Sequence, residues 1–292
     1  MIGRVQMEIL VVGGTRFFGI HLVNQLLKVG HKVTIATRGK AKDSFGSRVE
    51  RIHIDRTDAN SLRMALSDKQ FDVVYDEIAY CSNEIKYMLD IIHCDKYIYM
   101  SSMSVYESLK NNLVEEDFDP RKKELIWCNR SEFDYATSKR QAECALWQVY
   151  QEQKAVAVRY PYVIGTDDYT KRLLFYVEHV LKQLPMNIDN IDCQMGFIRS
   201  DEAGRFLAFL ADKEFTGPIN GCSMGTISIR EILDYIEEKS GKCAIISPEG
   251  EAAPYNRTPE YSMNTEKAKE LGFQFSNLKS WIYELLDELC AQ

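Results

Sequence analysis

Residues 8–30 read EILVVGGTRFFGIHLVNQLLKVG. The apolar run 9–12 has the character of a buried strand. Beyond the turn, Phe18, Leu22, Val23, Leu26 and Leu27 recur at helical spacing, and Gly30 is a natural helix stop. A helix that opens just after a glycine turn presents unpaired N–H groups and partial positive charge, which stabilise a phosphate or pyrophosphate. Gly13 lets the chain turn sharply, and Gly19 lets the helix pack closely on the strand. Between them lie Gly14, Thr15, Arg16, Phe17 and Phe18. Arg16 stands where the tightest such turns carry their middle glycine, so its guanidinium is expected to fold onto a phosphate instead. An exposed loop arginine is the alternative.

Outward from this turn, strand and helix patterns alternate. KVTIATR, VERIHID, FDVVYDEIAY, KYIYMSS and AVAVRYPYVIG read as further strands, with helices around NSLRMALSD, EIKYMLDIIHC and Ser131–Gln153. Short connections and right-handed crossovers imply a mostly parallel sheet with helices on both faces. The expected fold is therefore α/β, a Rossmann-type doubly wound parallel sheet with a smaller, helix-rich C-terminal substrate lobe. Residues 1–165 are assigned to dinucleotide binding and 166–292 to the lobe, with segments of the lobe returning to the sheet. In open parallel sheets ligands gather at the carboxyl ends of the strands. Thr37 and Arg38 follow the second strand, where NAD binders usually carry an acid for the ribose hydroxyls. An arginine there can stack on adenine and pair with a 2′-phosphate, so the expected cofactor is NAD(P), with NADP favoured. Asp55 and Arg56, ending the third strand, are candidates to frame the adenine; a turn-capping role is the alternative for Asp55.

The bulk properties narrow the classes of function. The chain has 292 residues, 45% of them hydrophobic and 27% charged, as in an ordinary globular protein. A formal net charge of −7 offers no broad basic field, so nucleic acid is not the expected partner. No apolar run reaches the roughly 20 residues needed to cross a bilayer. The first six residues read as a lead-in without a signal-peptide plan, with Met7 an alternative start. Eight cysteines are scattered as singles without metal-ligand spacing, which implies reduced thiols, a cytoplasmic setting and no metal site.

Tyr135 and Lys139, in DYATSKRQ, are four apart on an expected helix and so share a face. Ser102, in YMSSMSVY, lies just beyond the fifth strand. A free tyrosine has a pKa of about 10, and a nearby ammonium lowers it by stabilising the phenolate. Tyr135 can then exchange a proton with a substrate oxygen that Ser102 hydrogen-bonds, while Lys139 also holds a ribose.

The ordered set GGTRFFG, SSMSVY, YATSK and RYPYVIG resembles the extended, atypical short-chain dehydrogenase/reductase superfamily, the NAD-dependent epimerase/dehydratase family. The resemblance implies a Rossmann fold, bound NAD(P), a catalytic set of Ser102, Tyr135 and Lys139, and epimerase or reductase chemistry on a hydroxyl or carbonyl carbon of a small, sugar-like substrate. It also implies homodimers that pair through the helix carrying Tyr135. The arginine form of the turn looks like a branch with RNA-associated chloroplast members, so a dinucleotide-sensing or RNA-associated protein is the alternative reading. Three departures bear on substrate. Tyr162 replaces an asparagine that holds nucleotide sugars in the family. Met195 replaces a diphosphate-binding arginine, for which Arg199 or Arg257 is the candidate substitute. Met103 and Ser104 follow Ser102 where dehydratases carry an acid pair, which disfavours elimination. Asp76 and Glu77 end the fourth strand where the family usually has histidine and an apolar residue; a pair satisfied by backbone or lysine is preferred over a catalytic one.

Overall fold

The computed structural model describes residues 6–292, so most of the expected lead-in lies outside the described residues. The elements in chain order are β1 (Glu8–Val12), α1 (Phe18–Val29), β2 (Lys32–Thr37), β3 (Glu50–His53), α2 (Ala59–Leu66), β4 (Gln70–Asp76), α3 (Ser82–Leu89), β5 (His93–Met100), α4 (Tyr135–Gln148) and β6 (Ala155–Arg159). They continue with β7 (Tyr162–Ile164), α5 (Arg172–Lys182), β8 (Pro185–Asn187), β9 (Phe197–Arg199), α6 (Ser200–Phe209), β10 (Gly217–Asn220), α7 (Ile229–Ser240), β11 (Ile245–Ile246), β12 (Glu251–Ala252), α8 (Glu266–Glu270) and α9 (Ile282–Cys290).

The chain packs as two compact units. The first takes the chain up to Glu107, then Glu115–Tyr160 and Asp201–Asn220; the second takes Ser108–Val114, Pro161–Ser200 and Gly221–Gln292. The first unit is built on a seven-stranded sheet in the order β10-β6-β5-β4-β1-β2-β3, with every pairing parallel. Both faces of such a sheet are covered, which is why Ile9, Leu10, Val11 and Val12 of β1 have no accessible surface. The order reverses at β1, between β2 and β4, the place where this Rossmann-type fold receives ligands.

Strand alternation divides the residues of β4 between two helical layers. Val74 lies in a core with residues of α2, α3 and α4, whereas the Tyr75 hydroxyl donates to the Leu207 carbonyl of α6 at 2.9 Å. At the outer side of the same layer, the backbone of α6 meets α1 so closely at Gly204 that a Cβ would collide with His21 and Leu22.

Three sequence expectations are corrected. AVAVRYPYVIG is two strands, because Pro161 interrupts the ladder: β6 belongs to the central sheet, while β7 pairs with β9. GPIN, grouped from sequence with the smaller lobe, is the seventh strand of the sheet; its proline is tolerated because β10 is an edge strand. The helix expected from Ser131 starts at Tyr135, since the Asp134 carboxylate accepts from the Thr137 N–H and caps it there.

In the second unit, α5, α7 and α9 pack together, and β8 lies between β11 and β12. Its centre is aromatic: Tyr162, Tyr176 and Phe197 surround Tyr255. All eight cysteines are unbridged. Among the described residues no cluster of side chains has the makings of a metal site, and no helix is long and apolar enough to cross a membrane.

Candidate active site

The turn after β1 is held open by backbone conformations that favour glycine, with φ of 115° at Gly13 and 77° at Gly14. Gly13 stays tied to the sheet by donating to the Ala36 carbonyl at 3.1 Å. Phe17 precedes α1 with a φ of 52° and supplies no side-chain cap, so the helix begins without a side-chain acceptor for its first N–H groups. Arg16 is exposed, Thr15 and Phe18 are half-buried, and the rings of Phe17 and Phe18 pack 5.4 Å apart. An uncapped helix start after two glycines, with an exposed arginine on the turn, fits a pyrophosphate. At the neighbouring strand ends, the Thr37 hydroxyl accepts from Gly39 N–H at 3.1 Å, and Arg38 is exposed. This edge suits an extended dinucleotide.

Asp55 and Arg56 separate in the structure. Asp55 accepts from the Thr57 hydroxyl at 2.7 Å and the Thr57 N–H at 2.9 Å, and these bonds hold its carboxyl below the usual range. Arg56 turns inward. Its guanidinium meets Asp76 at 2.5 and 3.3 Å, and Asp76 also accepts from the Tyr97 hydroxyl at 2.7 Å and the Ala79 N–H at 3.0 Å. Committed to that ion pair, with 3% of its surface accessible, Arg56 does not frame an adenine as expected from its position in the chain. The reading of Asp76 and Glu77 as satisfied structural groups holds for Asp76, with arginine in place of lysine. Glu77 takes a single backbone N–H, that of Gly14, at 2.7 Å.

Lys139 is buried on α4. Its ammonium donates to the Ala79 carbonyl at 2.8 Å and the Met100 carbonyl at 2.6 Å. Three tyrosine rings surround it, with centroids 4.8 Å (Tyr99), 5.3 Å (Tyr80) and 5.8 Å (Tyr135) from Nζ. Burial pushes its pKa down to about 7, against the upward pull of Asp76 and Glu84. Tyr135, the first residue of α4, is 44% exposed and lies edge-on to Tyr80 at 5.3 Å. Ser102 follows β5 two residues after the carbonyl that Lys139 grips; its hydroxyl accepts from the Ser104 N–H at 3.2 Å. Lys139 thus bridges the ends of β4 and β5 beneath the Tyr135 ring, at the carboxyl edge of the sheet that also carries the glycine turn.

The sequence reading did not single out Tyr80, Tyr99 or Arg130. Arg130 lies over the Tyr80 ring at 4.5 Å and is fixed by Glu84 and the Ile78 carbonyl. Their positions at strand ends were a signal for the tyrosines; nothing local marks Arg130. The two substrate candidates belong to the second unit. Tyr162 shares a hydrogen bond with Thr258 at 2.9 Å, and Arg199 faces Glu284 at 4.0 Å.

Comparison with known proteins bears on this arrangement. The model of the NAD dependent epimerase/dehydratase family matches residues 9–220. The chloroplast stem-loop binding protein of 41 kDa b from Arabidopsis thaliana is 36% identical over 132 residues, which are 39% of this chain and 34% of that protein. The match thus spans about a third of that relative's length. An epimerase from Methanothermobacter thermautotrophicus superposes with a TM-score of 0.77 at 16% identity, covering 98% of this chain and 91% of that one. The UDP-glucuronic acid 4-epimerase from Bacillus cereus, solved in complex with NAD, gives a TM-score of 0.71 at 20% identity, covering 97% and 96%. At these identities the likeness to the solved structures is one of fold.

Proposed function

Because the chain belongs to the NAD dependent epimerase/dehydratase family, we propose that it is an NAD(P)-dependent epimerase or reductase acting at a hydroxyl-bearing or carbonyl carbon of a small, sugar-like substrate. The observation that carries this reading is Lys139, locked by two backbone carbonyls under the Tyr135 ring in the unit that carries the glycine turn. Gly13, Gly14, Thr15, Arg16, Phe17, Phe18 and Gly19 would hold the pyrophosphate, Thr37, Arg38 and Asp55 the adenosine end, and Lys139 the nicotinamide ribose. When bound, the dinucleotide supplies the acceptor or donor of a hydride. The chain's own residues handle the proton: Tyr135 exchanges it with the substrate oxygen, Ser102 hydrogen-bonds that oxygen, and charged Lys139 makes the phenol a stronger acid.

Released nucleotide after denaturation of the purified protein tests the reading. Tightly held NAD supports an epimerase, which keeps its cofactor through the cycle. A protein that comes empty and binds NADPH supports a reductase. Binding of neither overturns the proposal. Exposed Arg38 supports a preference for NADP; Arg38→Ala should weaken NADPH by about tenfold or less and leave NADH nearly unchanged, and equal weakening of both rejects that role. The named role of the chloroplast relative favours a second reading, stem-loop RNA binding. The net charge of −7 opposes it, and a gel-shift assay with a stem-loop RNA at physiological salt decides it.

A further inference from the structure

Glu77 places a carboxyl group directly beneath the glycine turn. Its Oε2 accepts from the Gly14 N–H at 2.7 Å, lies 3.0 Å from where a Cβ on Gly13 would be, and stands well inside contact distance of a Cβ on Gly19. Part of the residue remains accessible, but Oε1 is sealed from solvent and has no hydrogen-bond partner. One N–H is too little to compensate a full negative charge out of water. No cation is among the groups that set its charge. On β4 they are Asp76, whose charge is committed to Arg56, and Tyr75; just after β6 comes Tyr160, on which Glu202 of α6 also acts. The turn itself carries Arg16, exposed, and α1 carries His21.

Resting on the dinucleotide reading above, we infer that Glu77 makes cofactor binding proton-linked: its neutral carboxyl underlies the turn while a pyrophosphate is bound, and its ionised form opposes that binding. Carboxylate and pyrophosphate would share one glycine turn, and like charges at a common site cannot both be stabilised. Burial, with a smaller push from Asp76 and against the Gly14 N–H, raises the Glu77 pKa to about 8. A pyrophosphate raises it further, so binding takes up a proton above that pH and affinity falls as pH rises. One linked proton limits the fall to about tenfold per pH unit.

Isothermal titration of the full chain with NAD⁺ and with NADP⁺, across about pH 6 to 10 and in two buffers of different ionisation heat, reads this directly. Wild type should take up close to one proton and weaken by up to about tenfold per unit above pH 8. Glu77→Gln, neutral at every pH and still able to accept from Gly14, should bind as wild type does near neutrality and lose the alkaline fall. Lys139 titrates near 7 in both proteins, so the difference between them isolates Glu77. Equal slopes in the two proteins, or no proton uptake by wild type, overturn the linkage alone. Failure of wild type to bind either dinucleotide at any pH overturns it together with the functional reading. If the variant does not fold, wild-type proton uptake measured above pH 8, where Lys139 is already neutral, decides.

Discussion

The two faces of the sheet at the end of β4 treat adjacent carboxylates in opposite ways. On the face of α2, α3 and α4, Asp76 has an arginine, a tyrosine hydroxyl and a backbone N–H, and Lys139 beside it has two carbonyls and three rings. On the face of α1 and α6, Glu77 has one N–H and an oxygen with nothing to bond. A buried carboxylate paired with an opposite charge acts as architecture. A half-partnered one changes protonation easily, and so senses whatever binds nearby.

The sharpest way to probe the partnered face is Tyr135→Phe. It should lower turnover by roughly a hundred- to ten-thousand-fold while leaving dinucleotide affinity nearly intact, measured by steady-state kinetics beside a binding titration. Unchanged turnover would remove Tyr135 from the chemistry. Next in size, Arg56→Met strands Asp76 without its cation and should cost about 3–5 kcal/mol in urea unfolding. A loss under 1 kcal/mol would mean that Tyr97 and the Ala79 N–H suffice, and the contrast between the faces would collapse.

The glycine turn offers a coupling test. Gly19→Ala drives a Cβ into the Glu77 carboxyl and should destabilise by about 1–3 kcal/mol; combined with Glu77→Ala, most of that penalty should vanish. Additive losses would show that the two positions do not meet. The smallest effect concerns pH. The fold keeps the Glu77 proton up to about 8, whereas the unfolded chain gives it up near the ordinary 4.5, so stability falls as pH rises through that window. Lys139 has the reverse sign: it is neutral in the fold above about 7 but charged when unfolded up to about 10.5, so stability rises across that range. Glu77→Gln should therefore melt on the order of 5 °C higher than wild type near pH 8, with little difference at pH 5. An advantage independent of pH would deny the sealed carboxyl its role.

What could be read in the sequence was whatever local pattern controls. The run Ile9–Val12 and the spacing through Leu27 announce a buried strand and a packed helix without help from elsewhere. The pairing of Tyr135 with Lys139 was legible because four residues along a helix is a spatial statement. What escaped was set by distant partners. GPIN has a single strand-forming side chain, Ile219, and little length; it is a strand because β6 offers an open edge. Arg56 points inward because Asp76, twenty residues later, ends β4, which lies three strands away from β3 in the sheet, and no letter near Arg56 records that. The Asp76–Glu77 pair was visible as an oddity, but strand alternation sends the two to separate surroundings that only the packed layers define.

The interleaving of the two units has a consequence for how the protein is made. A ribosome releases β6 with one flank bare, and the strand that shields it, β10, lies beyond α5, β8, β9 and α6 in the order of synthesis. Until Asn220 emerges, the nascent sheet carries a raw border of unpaired amides, open to any neighbouring chain. A gene cut after residue 165 would freeze the protein at that vulnerable moment, and any shortened version meant to stay in solution has to carry Asp201–Asn220 with it.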